Sequence, residues 1–379
     1  MEPKVRFKGF SGEWNVYTIG DIAPVMGGYA FQSEQFSNSG IAIVRISNIL
    51  DTGIIGGDFV KYDIFTGDTS FRLYSGDILI AMSGATTGKV AIVKTDKFLY
   101  QNQRVGKFSR TDKINYSFLA SIVGSNKFRL ELNKRLTSSA QPNASSRDID
   151  SIQQYLPNDI IEQGTIASFF SSIDSTIISS AKKLASLKKL KSASLVAMFP
   201  QQGETTPKVR FKGFEGEWKR HTLYDVLKIN SGKDYKHLES GNIPVYGTGG
   251  YMLSVNDSLS NLDAIGIGRK GTIDKPQYLK APFWTVDTLF FLTKKNNDNL
   301  FFLYNLVQNI NWKKYDESTG VPSLSKNNME RVEIHMPNLA EQQAIATFFR
   351  SLDRKIALET ARLEKLKQIK QACLDKMFV

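Results

Sequence analysis

One cysteine, Cys373, stands in 379 residues. That excludes an intrachain disulfide framework and a cysteine-based zinc site. Histidine is almost as scarce. His221, His237 and His335 are scattered, and no two have metal-ligand spacing or complete a Ser-His-Asp set. No apolar run reaches the ~18 residues that a membrane-spanning helix needs. The opening Met1-Glu2-Pro3-Lys4 lacks the apolar stretch of a secretory signal, so a cytoplasmic location is expected. The one Gly-x-Gly-x-x-Gly string, Gly266-Ile267-Gly268-Arg269-Lys270-Gly271, begins inside the strand-like run 263–268 and not after it, and no Asn-Pro-Pro-aromatic motif or carboxylate-plus-lysine nuclease set is present. The run Gly84-Ala85-Thr86-Thr87-Gly88-Lys89-Val90 resembles a phosphate loop but is one residue short. Val90 also stands where Ser or Thr would hold magnesium. A tight turn between strands is the expectation there. The expected catalytic and metal-ligand sets are therefore empty.

What the chain does have is positive charge on a globular composition. It carries 49 Lys+Arg against 37 Asp+Glu, a net +12. Hydrophobic residues at 41% and aromatics at 11% exclude a chain disordered throughout. The length suggests two or three domains. Residues 1–204 hold 23 basic and 18 acidic residues, and 205–379 hold 26 and 19. The excess is thus shared between two halves and is not a basic tail. Two mildly basic folded halves suit a polyanionic partner.

The chain is written twice. Residues 3–14 read PKVRFKGFSGEW and 207–218 read PKVRFKGFEGEW, differing only at Ser11/Glu215. Residues 157–174, PNDIIEQGTIASFFSSID, return as PNLAEQQAIATFFRSLD at 337–353 with one residue absent. From Glu162/Glu341 the register is constant to Met198-Phe199/Met377-Phe378. Residues 15–156 and 219–336 share no long identical run. Each half is therefore one frame around a different insert. Two long units argue against a solenoid and for a pseudo-two-fold molecule.

The frame ends in a helix. In the first copy apolar residues recur at Ile166, Phe169, Phe170, Ile173, Ile177, Leu184, Leu187, Leu190, Leu195 and Met198. The second copy carries Ile345, Phe348, Phe349, Leu352, Ile356, Leu363, Leu366, Ile369 and Met377. Steps of three, four and seven make a helical stripe. Lys182, Lys183, Lys188, Lys189 and Lys191 fall mostly on the other face. Each helix is about 30 residues, or roughly 45 Å. A stripe this long must be buried. The expected partner is the other copy, as a two-helix coiled coil with Ile177, Leu184, Leu187, Ile356, Leu363 and Leu366 in the seam; packing of each helix on its own insert is the alternative. The inserts read as mixed α and β. Strands are expected at 41–46, 77–82, 89–93, 243–246, 263–268 and 288–292, and helices at 116–136 and 300–311.

Polar and aromatic groups gather at glycine-rich turns of both inserts. Glycine lets backbone approach a ligand closely. Arginine can grip guanine in two-pronged fashion, and Asn and Gln suit adenine. The DNA-binding candidates in the first insert are Tyr29, Gln32, Arg45, Ser83, Thr86, Lys89, Gln103 and Arg104, with the neighbours Gln101 and Asn102. In the second they are Lys233, Tyr235, Tyr246, Thr248, Arg269, Lys270, Lys313 and Lys314, with Tyr315 beside them. Singly each could be an ordinary loop residue. As a set on two basic domains they favour double-stranded DNA.

The whole chain resembles the specificity (S, or HsdS) subunit of type I restriction-modification enzymes. The resemblance lies in the paired KVRFKGF openings, IAIVRISNI, SGDILIAMSGATTGKVAIV, IPVYGTGGY and IGRKGTIDKPQYLKAPFWTVDTLFFL. It extends to SSAQPNASSRDIDSIQQYLP and TGVPSLSKNNMERVEIHMP, which lead into the helices. It implies an α+β fold of two mixed α/β target recognition domains joined by two long antiparallel helices. On that division, 1–158 and 208–338 are the recognition domains. The helices are 159–200 and 339–379, and 201–207 is a linker. The resemblance further implies that each domain reads half of a bipartite site. Two modification subunits would join the frame and methylate adenine N6 with S-adenosylmethionine. Two restriction subunits would add ATP- and Mg2+-dependent translocation and cleavage. The chain itself would hold no cofactor and no catalytic residue. A stand-alone DNA-modifying enzyme and a coiled-coil scaffold without a DNA role remain the other readings.

A rod of roughly 45 Å can set two readers about one DNA turn, ~34–36 Å, apart. Inserting one heptad after Ser186 should then change the gap between the half-sites. Mapping the methylated adenines checks this, and an unchanged gap would refute the ruler.

Overall fold

The structure, a computed structural model, describes residues 1–64, 69–136, 143–201 and 203–379. It forms two compact units. Unit 1 is Met1–Lys182 with Ala361–Val379, and unit 2 is Lys183–Thr360. The long helices Ile160–Ala197 and Leu339–Met377 each contribute residues to both units.

Unit 1 contains strands β1 (Asn15–Thr18), β2 (Val25–Gly27), β3 (Ile41–Val44), β4 (Lys61–Tyr62), β5 (Arg72–Leu73), β6 (Ile78–Ala81), β7 (Val90–Ile92), β8 (Leu99–Gln101), β9 (Val105–Phe108) and β10 (Gln153–Leu156). They make sheets of order β2-β9-β6-β7 and β4-β3-β8-β5 and a separate β1-β10 pair. Unit 2 contains β11 (Lys219–Thr222), β12 (Leu227–Ser231), β13 (Ser240–Gly247), β14 (Gly250–Val255), β15 (Ala264–Gly268), β16 (Gln277–Leu279), β17 (Trp284–Thr285), β18 (Leu289–Lys294) and β19 (Glu333–Met336). Their orders are β12-β18-β15-β16, β14-β13-β17 and β11-β19.

The inserts therefore share a topology that their side chains conceal. In both, the second sheet holds one parallel pair, β3 with β8 and β13 with β17. Backbone bonds fix the register between the copies. Tyr29 N donates to Gln101 O at 2.8 Å, and Lys233 N to Thr285 O at 2.9 Å. Asn102 N to Val44 O matches Val286 N to Tyr246 O, both 3.1 Å. Met82 N to Arg104 O, 2.9 Å, matches Arg269 N to Thr288 O, 2.7 Å. Residues 29, 82, 83, 103 and 104 thus correspond to 233, 269, 270, 287 and 288.

Each core combines one insert with pieces of both frames. In unit 1, Trp14, Phe118 and Ile149 pack with Ile166 and Phe170 of the first long helix and Leu374, Met377 and Phe378 of the second. In unit 2, Trp218, Phe302 and Met329 pack with Ile345 and Phe349 and with Met198 and Phe199. The stripe is therefore shared between the helix's own insert and the other copy. The two helices run antiparallel. Lys191 pairs with Asp353 at 2.6 Å and Lys183 with Glu359 at 2.8 Å in unit 2. The repeat equivalent of the first, Lys370 with Asp174 at 2.6 Å, lies in unit 1. Ile177, Leu184 and Leu363 are buried, and Leu187, Ile356 and Leu366 are half-buried.

Three expectations change. Leu190 and Ile369 are 50% and 42% exposed. Each three-residue step from Leu184 turns the position by about 60°, so the stripe drifts off the buried face. The helix expected over 116–136 is two, Tyr116–Val123 and Asn126–Arg135. Gly124 ends the first, and the Ser125 hydroxyl accepts from Phe128 N to start the second. Lys183 and Lys191 do not merely face solvent but bridge the helices.

The repeated opening is explained by one side chain. Arg6 donates from Nε and Nη2 to the two carboxylate oxygens of Glu162, at 2.7 and 2.8 Å. Its Nη1 and Nη2 also donate to Gly12 O and Ser11 O. Arg210 repeats this on Glu341 at 2.6 and 2.7 Å and on Gly216 O and Glu215 O. Glu162 and Glu341 are 1% and 0% exposed. Their hydrogen bonds hold both guanidinium pKa values above the ordinary one.

Arg6→Ala strands a buried carboxylate and should lower the stability of unit 1 by roughly 3 kcal/mol, the low end for a broken buried pair because Arg6 is partly wet. Arg210→Ala should do the same to unit 2. Denaturant unfolding checks this, and an unshifted transition would show that the pair is dispensable.

Candidate nucleic-acid interface

At one edge of each insert, the loops leaving the strand ends converge. In unit 1 the approach is made possible by Gly28. A Cβ there would strike the carbonyl oxygens of Gln101 and Asn102. Gly232 plays the same part in unit 2 against Thr285 and Val286. Gly84 and Gly271 open the corresponding next turn at φ +70° and +85°, in the left-handed region where glycine costs least. The loop before the closing strand then adds to the edge, with Ser83 bridged to Asn143 and Lys270 to Ser323.

This geometry gathers Tyr29, Ser83, Gln103 and Arg104 in unit 1. Gln103 N donates to Tyr29 O at 2.9 Å, and Arg104 O receives Met82 N. Tyr29, Gln103 and Arg104 are exposed, whereas Ser83 is buried at 8%. The Tyr29 ring packs edge-on to Phe31 at 5.0 Å. Arg45, half-buried, follows β3 directly, with its backbone N on Asn48 Oδ1. Gln32 is exposed and accepts from Gln35 Nε2.

The other unit 1 candidates do different work. In the Gly-rich run, Gly88 N, Thr87 N and Lys89 N are spent on carbonyls of Ala81, Gly84 and Thr86. Thr86 Oγ1 caps back onto Ser83 O at 3.3 Å. The run is a tight turn between β6 and β7, and those amides are not free for phosphate. Lys89 is paired with Asp51 at 2.7 Å, which holds the Asp51 carboxyl below its ordinary pKa. Gln101 is fully buried. Its Nε2 ties Met26 O to Val105 O, both at 2.8 Å, so it shapes the edge and cannot reach a ligand.

In unit 2, Lys233, Arg269 and Lys270 are exposed on the matching edge. Among the described residues none of the three forms an ion pair. The Arg269 guanidinium lies 5.8 Å from the Phe290 ring centre. Tyr246 and Thr248 are half-buried beside them, and Thr248 O receives Gln277 Nε2 at 3.2 Å. Tyr235 instead packs against a small core with Val245 and Trp284. Lys313 is held by Asp274 at 3.4 Å. Lys314 lines a separate cleft of about 540 Å³ with Phe199, Gln201 and Arg331. Residues 138–142 of the motif leading into the first helix lie outside the described residues.

Sequence reasoning missed Asn143, the bridge partner of Ser83, and Asp287, the counterpart of Gln103. Neither is basic or aromatic, and only the strand register places them. Among the described residues, no group of three His, Cys, Asp or Glu could hold a metal, and no helix is long and apolar enough to cross a membrane.

The model of a family described as the type I restriction modification DNA specificity domain matches residues 11–189 and 215–368. The specificity subunit of the type I restriction enzyme MjaVIII, from Methanocaldococcus jannaschii, is 28% identical over 187 residues. That match covers 47% of this chain and 44% of the relative, so it spans about half of each. A type I restriction-modification S subunit from M. genitalium shares the fold, with TM-score 0.72 and 19% identity over 100% of this chain and 99% of that one. So does a structure from work on complex assembly and conformational transition of the type I R-M system, with TM-score 0.54 and 16% identity over 98% and 99%.

Gly28→Ala and Gly232→Ala should each force the crossing backbones apart and cost about 1–3 kcal/mol. Gly249→Ala, with nothing within 4 Å of its Cβ, should stay within about 0.5 kcal/mol of the parent. Thermal melts of the three variants check this, and a Gly232→Ala melt matching Gly249→Ala would remove the close approach.

Proposed function

Because the chain belongs to the type I restriction-modification DNA specificity family, we propose that it is the DNA-reading subunit of such an enzyme. Each unit binds one half of a bipartite double-stranded site. The observation that carries this is the shared register: one backbone, built twice, presents different side chains at the same edge. Tyr29, Ser83 and Arg104 stand in unit 1 where Lys233, Lys270 and Thr288 stand in unit 2. A duplicated scaffold with divergent edges is what two different half-sites require. The net +12 supplies the attraction to phosphate.

On this reading, 1–158 and 208–338 are the recognition domains, linked by 201–207. The helices 159–200 and 339–379 set their spacing. The helices also dock two modification subunits, which methylate adenine N6 with S-adenosylmethionine. Exposed Leu190 and Ile369, at equivalent positions of the two helices, favour such docking. Two restriction subunits add ATP- and Mg2+-dependent cleavage. This chain contributes recognition and no catalytic group, and it works in the cytoplasm.

Single-molecule sequencing of DNA from cells expressing the chain with and without a candidate modification subunit tests the reading. The expected result is a bipartite motif with methyladenine in both halves that needs both proteins. Methylation from this chain alone would reveal a catalytic site in it. No methylation beside an active partner would favour the scaffold. Arg269→Ala should relax one position of one half-site by about 1–3 kcal/mol of discrimination and leave the other half intact. A loss uniform over all sequences would place Arg269 on phosphate.

A further inference from the structure

The turn between β17 and β18 carries an exposed carboxylate, Asp287, on an otherwise cationic edge. Its neighbour Thr288 receives Arg269 N at 2.7 Å and Lys270 N at 3.4 Å through the backbone. Two residues before it, Thr285 O receives Lys233 N at 2.9 Å. The backbones of three cationic residues thus meet the turn that carries Asp287. Yet among the described residues its side chain has no ion-pair or hydrogen-bond partner.

Nearby carboxylates behave differently. Asp316 accepts from Ser318 N, Ser318 Oγ and Ser323 N, and those bonds hold its pKa below the ordinary value. Glu317 accepts from Ser325 and Asn328. Asp274 pairs with Lys313. Each of these is used in shaping a loop. Asp287 shapes none.

A carboxylate brought against DNA is repelled by every phosphate. It can sit there favourably only if it faces a base-edge donor. In the major groove the exocyclic amino group of cytosine, N4, is the donor that an aspartate accepts from. The register adds a second observation. Asp287 occupies the position that Gln103 holds in unit 1, and glutamine is the side chain that pairs in two-pronged fashion with adenine. The same turn position then carries two base-reading side chains of different preference.

We infer that Asp287 is a specificity-determining residue. Its carboxylate accepts from the cytosine amino group at one position of the half-site read by unit 2, and it repels DNA that lacks a donor there. The inference rests on the DNA-reading function proposed above and adds a base class to it.

The test uses the full chain with its modification subunit and the methylation motif read by sequencing. The wild-type complex comes first: if it yields no bipartite motif, the DNA-reading function itself fails. Given a wild-type motif, Asp287→Ala should relax cytosine at one position of one half by about tenfold or more. Asp287→Asn should shift that position towards adenine. The other half-site should be unchanged in both. Binding to a duplex without the motif should tighten in both, because one negative charge is gone. A relaxed position that proves to be adenine in the wild-type motif would overturn the cytosine assignment. An unchanged motif, or a uniform change over all sequences, would overturn the role of Asp287. Both substitutions lie at an exposed turn, and an unaltered melt confirms that the fold is intact.

Discussion

The Arg–Glu pair that ties each opening segment to its long helix is the contact on which the rest depends. The helix has to start at a defined point on the insert, and a buried glutamate in its first turn provides one. Glu162 and Glu341 are shut off from water, so each needs a partner of opposite charge and several hydrogen bonds. Arginine supplies both at once through its planar fork. Its remaining donors take the carbonyls of the Ser11-Gly12 and Glu215-Gly216 turns. One side chain therefore fixes the opening loop, the helix start and the angle between them. A second stitch lies one residue on. Gln163 Oε1 receives Asn115 N at 2.8 Å, and Gln342 Oε1 receives Asn299 N at 3.0 Å. These ties fasten each helix to the segment that follows its sheets.

A rigid frame lets the inserts diverge. Strand order and pairing are made by backbone groups, which any residue except proline supplies. Side chains at the strand-end edge can then differ between the copies without changing the sheet behind it. The exception is the place where backbones cross. Both copies keep a glycine there, Gly28 and Gly232, because a Cβ would strike a carbonyl oxygen. The buried residue beside the crossing is free to vary in kind, Gln101 in one copy and Thr285 in the other.

That division explains what could be read in advance. The repeated opening was visible as a string, but its purpose was not, since Glu162 lies 156 residues from Arg6. Local signals worked for strands such as Ile78–Ala81 and Ala264–Gly268 and for both long helices. They failed where tertiary register decides. The common topology of the inserts left no trace in identity, because hydrogen-bond ladders carry no side-chain signature. Gly124-Ser125 was a readable stop-and-start signal inside an apolar stretch. Among the candidate residues, charge and glycine neighbours picked out Arg104, Arg269 and Lys270, which lie exposed at the insert edges. They could not tell that Lys89 is already paired or that Tyr235 belongs to a core.

The repeats are also interlocked. The last residues of each long helix do not complete the core of their own half. Met198 and Phe199 lie with Trp218, Phe302 and Phe349, and Met377 and Phe378 with Trp14, Phe118 and Phe170. Phe378 stacks on Phe118 at 5.7 Å, and Phe199 lies 5.5 Å from Phe302. Backbone bonds seal both junctions, Val5 N to Lys376 O at 3.0 Å and Val209 N to Ala197 O at 2.8 Å. A chain cut between its two copies would leave each insert without the Met-Phe pair that closes it. Burying such side chains contributes about 1.5–3 kcal/mol each, a large share of a domain's net stability. Folding of either unit thus draws on residues of the other copy. A change in one half's frame is felt in the other half's core. This coupling is a physical reason for the opening segment and the core-facing helix residues such as Phe170/Phe349 and Phe199/Phe378 to match in both copies while the inserts differ.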